Sequence, residues 1–259
     1  MTTTAQHEVE TQSRDVTETA MAFVRGSLKT EGMGILAPGG YLQTPLPYSL
    51  ESLAPHYEPS VLHKHYHGYH AESVAKLNEN VRQVYAAAHK RDAGQVRTLF
   101  RLTQYLWSDH VLHNLFWRSM SPRSARMSAE LTRAFFFNFG SIRHGLRYFM
   151  QMARQMNRRG WAVLAYDPAR EKLSLFQTGE LVNLAAWPVA PLLVCDLWEH
   201  AYADQYGDDV RQWVENFLKI VDWPRVHRRY EAARQGPGPA SQTPHAKRPI
   251  ADILAWASL

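Results

Sequence analysis

Cysteine is nearly absent: the 259 residues contain one, Cys195. A single thiol excludes an internal disulfide, and the lack of a thiolate cluster argues against structural zinc. Cys195 lies inside the apolar run Leu192–Leu197, so it reads as an inert core thiol and leaves the redox compartment open. No apolar stretch is long enough to cross a bilayer, and residues 1–20 lack the apolar core of a secretory leader. The expectation is a cytoplasmic protein without a membrane partner. Charge is not extreme either: 20% charged against 45% hydrophobic residues places the chain among globular proteins with a real core. The net charge of +5 is compatible with nucleic-acid, membrane or small-anion attraction. The arginines around 154–159 and 225–234 are most simply solvated helix faces, so no nucleic-acid partner is expected.

Hydrophobic spacing then divides the chain. Residues 1–40 are polar, with one short apolar stretch near Met21–Val24, and read as a disordered extension. Helical periodicity runs from Val61 to Lys90 through Val74, Leu77, Val81 and Tyr85, and Asp92-Ala93-Gly94 breaks it. A second helix runs through Val96, Leu99, Leu102, Tyr105 and Leu106 to Trp117, where Ser121-Pro122 stops it. Two long helices with a short connection form an antiparallel hairpin, which assigns 41–122 to a helical hairpin domain. Beyond it, helices are expected at 126–137 and 141–157 and strands at 160–165, 172–177 and 192–197. Three more helices follow at 201–206, 209–220 and 224–234. The fold class is therefore α+β: the hairpin domain, then an α+β domain over 123–234 with a small three-stranded antiparallel sheet. Residues 235–259 form a Pro/Gly/Ser-rich tail, read as disordered, that ends in the apolar Ile250–Leu259.

The chemistry concentrates in Pro191–Tyr202. An apolar, strand-like run ends at Asp196, and His200 follows four residues later, a spacing that lets both reach one metal ion. The alternative is an ordinary amphipathic segment whose Asp and His face solvent. Two other segments bear on this choice. Val61–His70 carries four of the 13 histidines, and Val111–Trp117 carries His113. The hairpin brings the start of its first helix and the end of its second to the same end. One His from each, with Asp196 and His200, makes a set of three imidazoles and one carboxylate, suited to iron, manganese or zinc.

Taken in order, these segments resemble the iron/manganese superoxide dismutases. Pro47-Tyr48, Ser52-Leu53-Ala54-Pro55-His56 and Leu77-Asn78 are similar to the family's opening segment and first helix. His113-Asn114-Leu115-Phe116-Trp117-Arg118-Ser119-Met120-Ser121-Pro122 resembles its second-ligand helix. Phe139-Gly140-Ser141, Gly160-Trp161, Asp196–Tyr202, Val221-Asp222-Trp223 and Arg229-Tyr230 complete the series, with Asp-x-Trp-Glu-His-Ala-Tyr the most specific. The resemblance implies that His65, His113, Asp196 and His200 hold one iron or manganese ion per subunit. It also implies that superoxide is the substrate and that metal-bound solvent, rather than a side chain, is the catalytic group. His70, Trp117, Trp161 and Trp198 would surround the ligands, and Glu199 and Tyr202 would lie at the interface of a homodimer.

Several neighbouring positions depart from the family. Four residues before the second ligand, where the family can carry a Gln that bonds the solvent, stands Asp109, and residues 178–186 contain no Gln. The family's gateway Tyr, eight residues after the first ligand, is Ser73; its His four residues after that ligand is Tyr69; and the Tyr after His-Ala-Tyr is Ala203. A carboxylate accepts where an amide can donate, so Asp109 is expected to alter the metal's environment. The reading is a superoxide dismutase that converts superoxide to dioxygen and hydrogen peroxide by metal cycling. Its alternative is a metal-binding relative with altered or lost dismutase activity.

Overall fold

The computed structural model describes residues 40–123, 125–156, 159–179 and 189–235. The expectations for residues 1–39 and 236–259, including Met21–Val24 and Ile250–Leu259, lie outside these. Pro59, whose fixed φ suits a first helical position, opens α1 at Pro59–His63. The chain continues without interruption through a π-helical segment, Lys64–His70, into α2 at Ala71–His89. Periodicity anticipated one helix here and missed the π segment, because wider turns leave no mark on apolar spacing. Residues five apart sit about 140° apart on an α-helix, whereas bonding from i to i+5 stacks them on one face. His65 and His70 are thereby both turned inward, while His63, Lys64, His67 and Tyr69 face out.

The hairpin turn falls slightly earlier than expected. Lys90–Asp92 form the break, with Arg91 at a positive φ of 58°, and Ala93-Gly94 already belong to the next helix. Asp92 caps that helix, α3 at Ala93–Trp117, by accepting from Gln95 N at 2.9 Å. Buried Asn80 ties α2 to α3 by donating to Leu99 O and Thr103 Oγ1.

The second half begins with α4 (Ala129–Phe139), capped by Ser128 and ended by Gly140 at a φ of 80°, a conformation that favours glycine. Ser141 caps α5 (Ile142–Arg154). Strands β1 (Trp161–Asp167), β2 (Lys172–Thr178) and β3 (Ala190–Asp196) form an antiparallel sheet in the order β2-β1-β3. The central strand β1 is buried along its whole length, and its register sets Trp161 opposite Asp196. Helices α6 (Glu199–Tyr206), α7 (Val210–Lys219) and α8 (Trp223–Gln235) follow. The expected α+β architecture is thus the observed one.

The two halves meet at the end of α3. Ser121 N donates to Ile220 O, and Asp222 N donates to Ser119 O, each at 2.8 Å. Arg229 of α8, itself buried, donates to Leu192 O on β3 at 2.9 Å, to Ser119 Oγ at 3.0 Å and to Leu115 O at 3.3 Å. This one guanidinium fastens the end of the hairpin to the third strand, and so fixes α3 relative to Asp196.

Candidate metal centre

Four elements deliver one side chain each to the junction: His65 from the π-helical segment, His113 from α3, Asp196 from the end of β3 and His200 from α6. One nitrogen or oxygen from each lies within 4.8 Å of all the others. Nε2 of His65 is 3.1 Å from Nε2 of His113 and 3.2 Å from Asp196 Oδ2. Oδ2 is in turn 3.6 Å from His113 Nε2 and 3.7 Å from His200 Nε2. Atoms each about 2.1 Å from one ion stand roughly 3 to 4 Å apart, so the spacing suits a single mononuclear site.

The outer atoms of Asp196, His65 and His113 are already engaged. Asp196 Oδ1 accepts from Trp198 N at 2.8 Å, and its backbone oxygen accepts from Trp213 Nε1 at 2.7 Å. Tyr57 Oη lies 2.7 Å from His65 Nδ1, and His113 Nδ1 donates to Asp109 O at 2.9 Å. Asp196 Oδ2 and His200 Nε2, by contrast, are buried without a hydrogen-bond partner. Oδ2 approaches His65 Nε2 closely yet lacks hydrogen-bonding geometry with it, as lone pairs aimed at a common point would. Buried polar atoms are normally satisfied, so these two call for a cation. Three imidazoles and a carboxylate, with no thiolate, fit iron or manganese.

Electrostatics at the centre is uneven. Burial holds His65 down at about 3, outweighing the Asp196 carboxylate, so its ring is neutral and able to ligate. Burial also pulls His113 down, but Asp109 and then Asp196 overcome it and raise His113 to about 9. Burial opposes the ionised form of Asp196, yet its contacts with His200 and His65 keep its pKa below the ordinary carboxylate range.

The surrounding positions fall as follows. His70 stacks on His113 at 4.6 Å between ring centres and accepts from Trp117 Nε1 at 3.0 Å. Trp161 meets His113 edge-on at 4.9 Å, and Trp198 lies parallel to His200 at 6.1 Å. Tyr69 stacks on the outer face of His200 at 4.5 Å. Asp109 does reach the ligand set, but from behind: Oδ2 is 3.3 Å from His113 Nδ1, the ring nitrogen remote from the cluster. The same oxygen accepts from Ser73 Oγ at 2.5 Å, so Ser73 and Asp109 form one chain leading to His113. Tyr202, expected at a subunit interface, instead packs inward, fully buried and stacked on Trp213. The outward-facing groups beside His200 are Glu199 and Tyr69. Tyr57 escaped the sequence reading altogether, since nothing in apolar spacing ties it to His65.

Comparison with known proteins bears directly on this arrangement. Residues 41–121 match the alpha-hairpin domain of iron/manganese superoxide dismutases, and residues 127–229 match the C-terminal domain of the same proteins. The chain belongs to the iron/manganese superoxide dismutase family. It is 32% identical over 203 residues to the superoxide dismutase [Mn] of Nocardia asteroides, covering 76% of this chain and 97% of that one. Identity to the superoxide dismutase [Fe] of Pyrobaculum aerophilum is 29% over 202 residues, covering 76% and 94%. The superoxide dismutase [Mn/Fe] of Aeropyrum pernix is 29% identical over 196 residues, covering 74% and 92%. These relatives carry iron, manganese or either in their names, so the family does not by itself choose the metal.

Proposed function

We propose that the protein is a superoxide dismutase that uses one iron or manganese ion held by His65, His113, Asp196 and His200. The observation that carries this reading is the convergence of four ligand atoms within 4.8 Å, two of them buried and otherwise unsatisfied. When bound, iron or manganese supplies reversible one-electron chemistry, which zinc lacks. The net reaction takes two superoxide ions and two protons to one dioxygen and one hydrogen peroxide.

The chain's own residues supply orientation and exclusion of water. Trp117 and Trp161 wall the histidines on their buried sides, and His70 backs His113. Asp109 fixes the proton of His113 on Nδ1 and so presents Nε2 to the ion. The departures at Ser73 and Asp109 bear on rate, and the relative with altered or lost activity is one outcome of the assay that closes the Discussion.

The same reading makes the molecule a cytoplasmic homodimer in which Glu199 reaches His200 of the partner subunit, with Tyr202 behind it. Its domains are 41–122 and 123–234. Among the described residues no helix is long and apolar enough to cross a membrane. Elemental analysis tests the ligand set: the purified protein should hold one iron or manganese per chain, and His113→Ala should hold none. Full metal retention by that variant would overturn the assignment.

A further inference from the structure

Tyr57 lies just before α1, fully buried, its ring packed on Trp213 at 5.0 Å and on Phe116 at 6.4 Å. Its hydroxyl, 2.7 Å from Nδ1 of His65, is the one hydrogen-bond partner of that nitrogen among the described residues.

We propose that Tyr57 is a positioning residue for His65, fixing the rotation of the imidazole so that Nε2 faces the other three ligand atoms. This rests on the reading of those four residues as a metal site. Rotation about the bond to an imidazole is broad and roughly two-fold, so packing distinguishes the two ring orientations poorly. A hydrogen bond at Nδ1 does distinguish them, because a flipped ring would set carbon against the hydroxyl and carbon against the ligand cluster.

The chemistry of a hydroxyl matters as well. Without metal, where His113 carries a proton on Nδ1 alone, His65 Nε2 can carry its own proton and donate to His113 Nε2, 3.1 Å away, while Tyr57 donates to Nδ1. Where His113 is doubly protonated, its Nε2 donates to His65 Nε2 and Tyr57 accepts from His65 Nδ1. Coordination through Nε2 puts the His65 proton on Nδ1, and Tyr57 must then accept. A hydroxyl serves in both roles, whereas a backbone carbonyl only accepts and an amide N–H only donates. Tyr57 therefore holds the ring in one orientation before and after metal uptake.

Tyr57→Phe keeps the ring packing and deletes only the hydroxyl. Loss of a group that orients a metal ligand commonly weakens metal binding about 10- to 100-fold. The variant, loaded with iron(III), is expected to release metal to a chelator faster by a factor in that range. Its electron paramagnetic resonance spectrum should also shift, since the ligand ring is no longer held. Tyr48→Phe is the control: it deletes a hydroxyl that donates to Trp117 O at 2.9 Å and touches no ligand side chain. It should leave release and spectrum as in the unsubstituted protein. Tyr57→Phe with unchanged release and spectrum overturns the proposal alone, as does Tyr48→Phe moving both equally. Failure of the unsubstituted protein to take up iron or manganese overturns the proposal together with the reading it rests on. A measurement that needs no variant is paramagnetic NMR of the iron form. A slowly exchanging Nδ1 proton on His65 is expected, and fast exchange overturns the proposal.

Discussion

Replacing Asp109 with Asn removes one negative charge behind His113 and keeps the shape of the side chain. Two opposing consequences can be sized from the structure. The carboxylate, 3.3 Å from His113 Nδ1, is the main reason His113 is raised to about 9. A metal binding at pH 7 must displace that proton, which costs the unsubstituted protein about two decades of affinity, or about 3 kcal/mol. Above pH 9 this cost vanishes. The carboxylate also orients His113 and strengthens it as a ligand, and loss of such a partner typically weakens binding about 10- to 100-fold at any pH. Asp109→Asn should therefore bind manganese(II) about 10- to 100-fold more weakly above pH 9. Near pH 7 it should bind equally well or up to about 10-fold more tightly. Chelator competition from pH 6.5 to 9.5 reads both limits. The unsubstituted protein should gain one decade of affinity per pH unit from His113 alone, a contribution the variant lacks, and the two curves should cross. Parallel curves would refute the claim that Asp109 controls the proton on His113.

Three further outcomes follow from the same geometry. Arg229→Met should destabilise the protein by about 2 kcal/mol in urea unfolding, because the buried Leu192 carbonyl and the Ser119 hydroxyl lose their donor, while Leu115 O keeps the Ser119 hydroxyl. The metal-free protein should lose stability on acidification: burial lowers His65 to about 3, His110 to about 4 and His70 well below its ordinary value. These rings are neutral when folded but take protons when unfolded, so the loss begins as pH falls through about 6.5 and reaches roughly 2 kcal/mol for His65 and for His110 at pH 5, with His70 adding in the same direction. His113 has the opposite sign: its raised pKa adds stability below about 6.5 that fades as pH rises through 9, offsetting the loss by about 1 kcal/mol between pH 7 and 5. Flat thermal midpoints from pH 7 to 5 would contradict the burial of neutral rings. Glu199→Ala should shift the sedimentation of the proposed dimer toward monomer and lower metal retention in parallel, whereas a monomeric unsubstituted protein at micromolar concentration would remove the dimer from the account.

Sequence patterning was most informative where one physical signal dominated. Apolar spacing located the hairpin helices because α2 buries one face and α3 becomes buried on all sides only over its last turns, from His110 to Trp117, and the run ending in Asp196 was readable because β3 is buried on both faces. The four clustered residues were legible through motif order, since each sits near the boundary of an element that has its own sequence mark. The rest depended on side-chain direction. The π-helical turn that brings His65 and His70 onto one face is invisible to a 3.6-residue period. Asp109 was placed near the metal by position alone, and only the rotamer reveals that it faces the far nitrogen of His113. The family resemblance assigned Tyr202 to a subunit interface, yet its ring stacks on Trp213, a partner eleven residues along the chain.

The central claim is tested most directly by following superoxide decay in stopped flow with iron- or manganese-loaded protein at matched metal content. Catalytic decay is expected, first order in loaded protein over many turnovers, with one dioxygen and one hydrogen peroxide formed for every two superoxide ions consumed. Decay no faster than the spontaneous reaction, in protein carrying one metal ion per chain, would contradict the assignment of dismutase activity and leave a metal-binding relative in its place.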